Sequence, residues 1–283
     1  MQSNTTSSPP NPEDSAQPGV WVTLRELWQH RELLGAFVQT ELKRKYVGSA
    51  LGFMWSVMNP ILELVTYTFV FNVLIGVRYH PAGGTTQYAL FLFCGMVTWM
   101  AFADGLTAAT RAITDQGHLI KKVRFPISVL PAQVVLSAVF NQGIRLAILA
   151  FGAIIFGEGL SAHFLLAPVF VLIQAVFTLG LAYVLATVSV YFRDTAHWIS
   201  PALLLWMFIT PIFYPPSVYP KRLELILQLN PMAHIVGVYQ ELILNHRLPH
   251  LNSMMVVCVC ASLAVVVGCS VFNHHRKRFS DQV

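Results

Sequence analysis

Long apolar stretches alternate with short polar segments along most of this chain, and they predict its main elements. Six stretches can be drawn as membrane-spanning helices, because about 20 apolar residues suffice to cross a bilayer as a helix. Their approximate bounds are Leu51–Val77, Gln87–Ala109, Ile127–Phe156, Leu160–Phe192, Ala196–Tyr214 and Leu251–Phe272. The pattern therefore predicts an all-α, polytopic membrane protein.

A different periodicity marks the segment before the first span. Thr23 and Glu26 have the spacing of a capping box, which is typical of a helix start. Apolar residues then recur at helical spacing on one side of the segment up to Tyr46. We expect a helix over Thr23–Tyr46 that lies on the inner membrane surface, with a soluble helix packed on a partner as the alternative.

The segment Pro215–Arg247 is too polar to be a span but carries apolar residues at helical spacing. It predicts a short helix over Lys221–Gln228. Asn230 and Pro231 then predict an N-cap followed by proline at the first position of a second helix, which runs to about Asn245. We expect a helical hairpin that dips into the outer leaflet.

Composition supports a membrane protein, since 55% of the 283 residues are hydrophobic and only 11% are charged. Soluble domains carry roughly 25% charged residues, so lipid must cover much of this surface. Residues 1–22 are polar and predict a disordered cytoplasmic tail, leaving residues 23–46 for the surface helix and 47–283 for the transmembrane domain. The four cysteines all lie in apolar stretches and predict small buried side chains rather than metal ligands.

Basic residues are distributed unequally between the two sides of the predicted spans. Of the 18 Lys and Arg residues, 13 fall on the proposed inner side and 4 on the outer side. This bias predicts a multi-pass protein of the bacterial inner membrane with both termini in the cytoplasm. The net charge of +5 does not indicate nucleic-acid binding, because the basic clusters lie beside apolar spans.

Three charged residues lie within predicted spans, and each is on a different one: Glu63, Asp104 and Arg145. An ionisable group in hydrocarbon is costly, so it usually faces protein or water. Arg145 has two candidate partners, Glu63 and Asp104. The pattern leaves open whether these groups line a polar conduit or form a structural pair between helices.

Motifs for catalysis and nucleotide binding are absent from the sequence. It contains no GxxxxGK[ST] loop, no GxSxG elbow, no HExxH pair and no clustered carboxylates at metal spacing. We therefore expect no catalytic residue and no metal site on this chain. A membrane glycosyl or phospholipid enzyme is disfavoured, because such an enzyme would group its polar residues at one depth.

Several short motifs together resemble one transporter family. The segment from Arg44 to Pro60 reads RxYxGSxLGxxWxxxNP, and KKVRFP, YFRD, PIFY and LNP follow it in order. This arrangement resembles the ABC-2 type polysaccharide-export permeases, the membrane subunits that export O-antigen, capsule and teichoic acid chains. The resemblance runs from about Leu24 to the C-terminus.

The resemblance implies a homodimer that binds two copies of a separate cytoplasmic ATPase, with ATP and Mg²⁺ on that partner and no cofactor on this chain. The substrate would be a lipid-linked polysaccharide moving through surrounding membrane lipid. It implies an ATPase-coupling loop of Asp115, His118, Lys121, Lys122, Arg124, Phe125 and Pro126. It places the substrate head group near Arg44, Lys45 and Tyr46.

Aromatic residues in the spans suit a glycan conduit, since aromatic rings stack on the apolar faces of sugars; helix packing and interfacial belts are the alternative. By the resemblance, the channel lining would be Trp55, Glu63, Tyr67, Phe71, Trp206 and Phe213, and the periplasmic gate would be Tyr214, Asn230, Pro231 and Tyr239.

Two other transporter classes remain as alternatives. One is an ABC-2 type lipid or drug exporter, and the other is an ion-coupled secondary transporter. The second would need internal repeats, which residues 51–156 and 160–272 do not show.

Overall fold

The computed structural model describes residues 19–46, 52–76, 84–122, 125–155, 159–215, 219–220, 222 and 224–279. Every regular element in these ranges is helical, which confirms the predicted all-α class. The α-helices are α1 Val20–Gln29, α2 Arg31–Tyr46, α3 Trp55–Thr68, α4 Thr85–Ala112, α5 Gly117–Lys122, α6 Val129–Ile155, α7 Ala167–Tyr191, α8 Thr195–Ile209, α9 Glu224–Leu229, α10 Pro231–Ile243 and α11 Leu251–His275. Short 3-10 helices lie at Gly52–Met54, Thr114–Gln116, Ala162–Leu166 and Arg276–Arg278, and a π-helix, Phe69–Leu74, continues α3.

Helix α4 is the centre of the fold. Its most apolar window is 78% buried inside the protein, and every residue from Leu90 to Trp99 is buried. It packs against α3, α6, α7, α8 and α10. These five helices cover most of α4, so little of its surface is left for lipid.

Helices α7 and α11 form the most extensive helix pair in the described part of the chain. Their backbones meet where two glycines face each other. A Cβ atom built on Gly268 would lie 2.0 Å from the Gly180 carbonyl oxygen, and one on Gly180 would lie 2.2 Å from the Ala264 carbonyl carbon. Small residues permit such close approach of membrane helices, so this pair depends on both glycines.

Among the described residues, four helices are long and apolar enough to cross a membrane: α4, α6, α11 and Ala162–Tyr191, which contains α7. They match the predicted second, third, sixth and fourth spans to within three residues at each end. Each of these helices has at least 25 residues and is predominantly apolar, which is the pattern that predicts a span with the least ambiguity.

The predicted first and fifth spans are helical but shorter or interrupted. Helix α3 contains Pro60 and changes to π-helix at Phe69. Helix α8 has 15 residues, so it extends about 22 Å, less than the roughly 30 Å of a bilayer core. It ends before Thr210, which is extended as expected for a residue that precedes proline. Four spans are supported, and the count of six stays a prediction.

The predicted capping box at Thr23 and Glu26 is wrong. Helix α1 begins earlier, at Val20, with Gly19 as its N-cap and no side-chain cap, and it is separated from α2 by a break at His30. Thr23 is fully buried and accepts a hydrogen bond from Asn273 Nδ2 at 2.9 Å. Residues three apart share one helix face, so the Thr-x-x-Glu spacing here marks a face that docks on other helices.

Helices α9 and α10 follow α8 where the sequence predicts a hairpin. Asn230 is the N-cap of α10, its Oδ1 accepts from the Met232 N–H at 3.0 Å, and Pro231 takes the first helical position. Helix α10 is buried along most of its length against α4 and α11. It is therefore part of the core, and its depth in the outer leaflet stays a prediction.

Candidate transport path and coupling surface

Three distant parts of the chain meet at the Glu26 carboxylate. Its Oε2 accepts hydrogen bonds from Ser128 Oγ at 2.8 Å and from Arg276 Nη1 at 3.4 Å. Tyr183 Oη donates to the Ser128 carbonyl oxygen at 3.0 Å. We call Glu26, Ser128 and Arg276 the Glu26 junction. It connects α1 to the start of α6 and to the end of α11.

Four of the predicted coupling residues, Asp115, His118, Lys121 and Lys122, lie on a short helical segment between α4 and α6, formed by a 3-10 turn and α5. Asp115 and His118 are exposed on it. The structure describes the backbone but not the side chains of Lys121 and Lys122, and Arg124 lies outside the described residues. The segment therefore presents an accessible helical surface, and its docking role stays a prediction.

The far end of this segment is anchored to the N-terminal helices. Phe125 stacks on Phe37 of α2, with ring centroids 6.2 Å apart. The Pro126 carbonyl oxygen accepts from the Val129 N–H at 3.1 Å and closes the turn into α6. With Ser128 bound to Glu26, the segment is held to both α1 and α2.

The predicted head-group residues stand at the end of α2. Arg44 is largely exposed and pairs with Glu41 at 3.3 Å. The structure describes the helical backbone of Lys45 and Tyr46 but not their side chains. The Arg44 guanidinium is accessible to a ligand in the described structure, and head-group binding stays a prediction.

A polar cavity of about 330 Å³ lies between α3, α4 and α6. Its lining residues are Trp55, Ser56, Asn59, Pro60, Asp104, Asn141 and Arg145. Arg145 Nη2 pairs with Asp104 Oδ2 at 3.2 Å, so Asp104 rather than Glu63 is the direct partner. Glu63, half-buried on α3, lies within electrostatic range of both charges. The three charged residues of the spans therefore converge on one region, which the sequence alone did not establish.

Three of the predicted channel-lining aromatics form one cluster. Phe213 is fully buried and stacks on Phe71 with centroids 4.6 Å apart, and its ring lies 5.3 Å from that of Tyr67. Tyr88 Oη donates to the Phe213 carbonyl oxygen at 2.8 Å. Within the chain these rings pack the segment after α8 against α3 and α4, and their contact with a substrate stays a prediction.

A predicted channel residue and a predicted gate residue are hydrogen-bonded to each other. Trp206 Nε1 donates to Asn230 Oδ1 at 2.8 Å, and Asn230 Nδ2 donates to Thr210 Oγ1 at 3.0 Å. Asn230 thus joins the end of α8 to the start of α10. Tyr214 Oη donates to the carbonyl oxygen of Phe208, which holds the segment after α8 against that helix.

The remaining gate residue, Tyr239, is fully buried in α10 and sits in a chain of polar groups. Its Oη accepts from Gln142 Nε2 at 3.3 Å, and Gln142 Nε2 also donates to Gln174 Oε1 at 2.9 Å. Gln174 Nε2 in turn donates to the Thr98 carbonyl oxygen at 2.8 Å. These bonds lock α10 to α6, α7 and α4, so Tyr239 belongs to the rigid part of the molecule.

Comparison with known proteins gives the family. The sequence matches the ABC-2 type transporter family over residues 32–244. The chain belongs to this family. It is 36% identical over 262 residues to the O-antigen export system permease protein RfbA of Myxococcus xanthus, covering 92% of this chain and 98% of that relative. It is 28% identical over 256 residues to a Klebsiella pneumoniae protein of the same name, covering 88% of this chain and 94% of the relative.

In this ABC-2 type transporter chain, α3 and α8 expose large apolar side chains along much of their length. Examples are Leu62 and Val65 on α3, Phe69, Val73 and Leu74 on the π-helix that continues it, and Trp198, Leu204, Leu205 and Phe208 on α8. Such surfaces need lipid or another chain to cover them. No group of three His, Cys, Asp or Glu side chains in the described ranges could hold a metal ion.

Several residues that organise this ABC-2 chain were not singled out in the sequence. Ser128, Gln142, Gln174 and Arg276 each bond a residue at least 32 positions away. The contacts of the two glutamines could have been expected from the sequence, because an amide side chain inside an apolar span needs a hydrogen-bond partner. Nothing in the sequence pointed to Ser128 or Arg276, since serine is common after a turn and arginine is common after a span.

Proposed function

We propose that the chain is the permease subunit of an ATP-driven exporter that moves lipid-linked polysaccharide, of the O-antigen or capsule type, from cytoplasm to periplasm. The observation that carries the proposal is the 36% identity to an O-antigen export permease across 98% of that relative. The sequence has no GxxxxGK[ST] loop, which agrees with ATP hydrolysis on a separate subunit.

In this proposal two copies of the chain form a homodimer in the bacterial inner membrane, with both termini in the cytoplasm. The exposed apolar faces of α3 and α8 support an arrangement in which these helices meet the second copy and border the conduit. Two ATPase subunits, which carry ATP and Mg²⁺, dock on the segment from Asp115 to Pro126. This chain needs no cofactor and catalyses no reaction.

Movement of the docking segment is transmitted through its anchors. ATP binding and hydrolysis shift the segment, and the Ser128–Glu26 hydrogen bond and the Phe125–Phe37 stack pass the shift to α1 and α2. The path then exchanges between closed and open states. The lipid diphosphate enters near Arg44, and the sugars follow the aromatic side chains towards the gate at Asn230.

Deleting the gene and restoring it from a plasmid tests the proposal. We expect the deletion strain to lose surface polysaccharide and to keep lipid-linked polysaccharide inside the cell, and the plasmid to restore export. We also expect an ATPase subunit to co-purify with the chain from native membranes. Unchanged surface polysaccharide, together with a retained lipid or drug, would favour the other ABC-2 exporter class.

A triple substitution tests the docking role of α5 and the residues after it. Changing Lys121, Lys122 and Arg124 to Ala should reduce the amount of co-purified ATPase and slow export in parallel. A matched control changes Arg222 and Arg247 to Ala, since they are two of the four basic residues that the sequence places on the outer side. If the triple variant retains as much ATPase as this control, docking lies elsewhere.

A further inference from the structure

We infer that a second cavity, at the predicted cytoplasmic ends of α4, α7 and α8, binds the phosphate group of a lipid in the inner leaflet. Its volume is about 510 Å³, which is within the range of small-molecule sites. The lining includes Arg111 near the end of α4 and Arg193 of the YFRD motif. The proposed transport mechanism gives neither arginine a role.

The two arginines carry positive charge that has no partner in the described part of the chain. Both side chains are exposed, and neither forms an ion pair or a side-chain hydrogen bond with a residue that the structure describes. Asp115 in the lining and Asp194 outside it are also exposed, and neither pairs with these guanidiniums. Unpaired guanidiniums are the groups that bind phosphate through two parallel hydrogen bonds.

A buried hydroxyl group in the same lining lacks a hydrogen-bond partner. Ser189 is 1% exposed, and its Oγ has no partner among the described residues. Other hydroxyl groups of α7 do have one, since Thr178 and Thr187 each donate to the carbonyl oxygen four residues earlier. A buried hydroxyl group without a partner is costly, and an acceptor oxygen that enters the cavity would remove this cost.

Other ligands match the lining less well. A divalent cation needs several oxygen ligands, and two guanidiniums would repel it. A neutral sugar would leave both arginines without a counter-charge. A carboxylate side chain of a partner protein has the right charge but would fill only a small part of the cavity. A phosphate group offers enough acceptor oxygens for both guanidiniums and for the Ser189 hydroxyl group.

The position of the cavity favours a lipid over free phosphate. Most of the lining comes from the last turns of α4 and α7 and the first turn of α8. Because α4 and the helix that contains α7 are long enough to cross a membrane, their ends are expected at head-group depth. Phe192 and Trp198, which adjoin Arg193 and His197 in the sequence, are largely exposed. Tryptophan is enriched at the membrane–water interface, and exposed apolar rings there are covered by lipid or protein.

Two kinds of lipid could carry the phosphate group to this depth. One is an anionic phospholipid, which is abundant in the cytoplasmic leaflet. The other is a polyprenyl diphosphate, the class of lipid that would carry the cargo of the proposed exporter. The second source alone rests on the proposed function, and the site itself does not depend on which cargo the protein moves.

The test measures lipid binding to the purified full-length chain in detergent micelles by native mass spectrometry. The probes are phosphatidylglycerol and a polyprenyl diphosphate. Diacylglycerol with the same acyl chains is the phosphate-free control, and inorganic phosphate is added as a competitor. The blocking variant combines Arg111→Gln with Arg193→Gln. Its matched control combines Arg25→Gln with Arg278→Gln, two exposed arginines that the sequence also places on the inner side and that lie outside the lining.

We expect at least one phosphate-bearing lipid to bind more tightly than diacylglycerol, and the one with the lower Kd identifies the source. The blocking variant should lose about tenfold or more in affinity, while the matched control keeps the affinity of the unaltered chain. Ser189→Ala should weaken binding by about tenfold, as for a lost hydrogen bond to a charged group. It should not lower the Tm of the lipid-free chain, because the deleted hydroxyl group has no partner among the described residues.

Four results would overturn the site. Diacylglycerol that binds as tightly would mean that only acyl chains are recognised, and displacement of the lipid by an equal concentration of inorganic phosphate would exclude a lipid-specific site. Equal lipid binding by the blocking variant and its control would place the lipid elsewhere. A blocking variant that binds lipid normally but no longer co-purifies with the ATPase would mean that the cavity receives a carboxylate of that partner. None of these measurements requires export, so failure of the unaltered chain to restore export would refute the proposed function alone.

Discussion

Replacing Gly268 by alanine tests the contact on which the largest helix pair depends. The new Cβ would lie 2.0 Å from the Gly180 carbonyl oxygen and 2.7 Å from its carbon. Carbon and oxygen ordinarily approach to about 3.3 Å, so α7 and α11 must separate by roughly 1.3 Å at this point. The neighbouring atom is backbone, and a rotamer change cannot relieve the overlap.

The cost follows from the packing lost along the interface. A gap of about 0.5–1 Å already removes a quarter to a half of a dispersion contact, and overpacking a tight core costs typically about 1–3 kcal/mol. We expect Gly268→Ala to lower the free energy of unfolding by about 3 kcal/mol, at the upper end of that range. The matched control is Gly143→Ala in α6, where nothing lies within 4 Å of an added Cβ. There the same substitution should stabilise the helix by about 0.5–1 kcal/mol.

The free energy is measured by reversible unfolding of the purified chain in bicelles. Gly180→Ala should behave like Gly268→Ala, because its Cβ would lie 2.2 Å from the Ala264 carbonyl carbon. The double variant should cost less than the sum of the two, since one separation of the helices accommodates both methyl groups. Equal unfolding free energies for Gly268→Ala and Gly143→Ala would refute the close approach.

Three further sets of substitutions examine other contacts. Glu26→Gln and Arg276→Gln should show a coupling energy of about 0.5–1 kcal/mol in a double-mutant cycle of unfolding, as for a partly exposed ion pair; additive effects would mean that Glu26 and Arg276 do not interact. Asn230→Ala should destabilise by about 1–2 kcal/mol in the same unfolding assay through loss of the α10 cap, whereas Asn230→Asp should retain most of the stability. Asp104→Asn should lower the yield of folded protein in a size-exclusion assay by leaving Arg145 unpaired, and the double variant Asp104→Asn with Arg145→Gln should recover it.

The apolar pattern was sufficient for α4, α6, α7 and α11, because each is part of a predominantly apolar helix of at least 25 residues, longer than a bilayer requires. It was less reliable for α3 and α8, where prolines interrupt or end the helix. The mean hydropathy of a segment measures how apolar it is, and it does not indicate where the backbone departs from helical geometry.

The contacts of the site were harder to predict for a different reason. Thr23 and Glu26 carry a capping pattern, yet their partners are Asn273, Ser128 and Arg276, more than 100 positions away. A local pattern cannot distinguish a carboxylate that caps its own helix from one that binds another helix. Partner choice for Arg145 likewise depends on how α4 and α6 pack, which one sequence does not contain.

Burial limits where an opening movement can occur. Helix α4 is covered by five other helices, so displacing it would break contacts throughout a close-packed core. Helix α3 has a proline, a π-helical end and an exposed apolar face, and π-helical turns and prolines are where helices bend at low cost. In the proposed transporter we therefore expect the path to widen by movement of α3 and α8 against a fixed α4. The polar cavity, which has Trp55 and Asn59 on α3 and Asp104 on α4, lies on the boundary between the moving and the fixed parts.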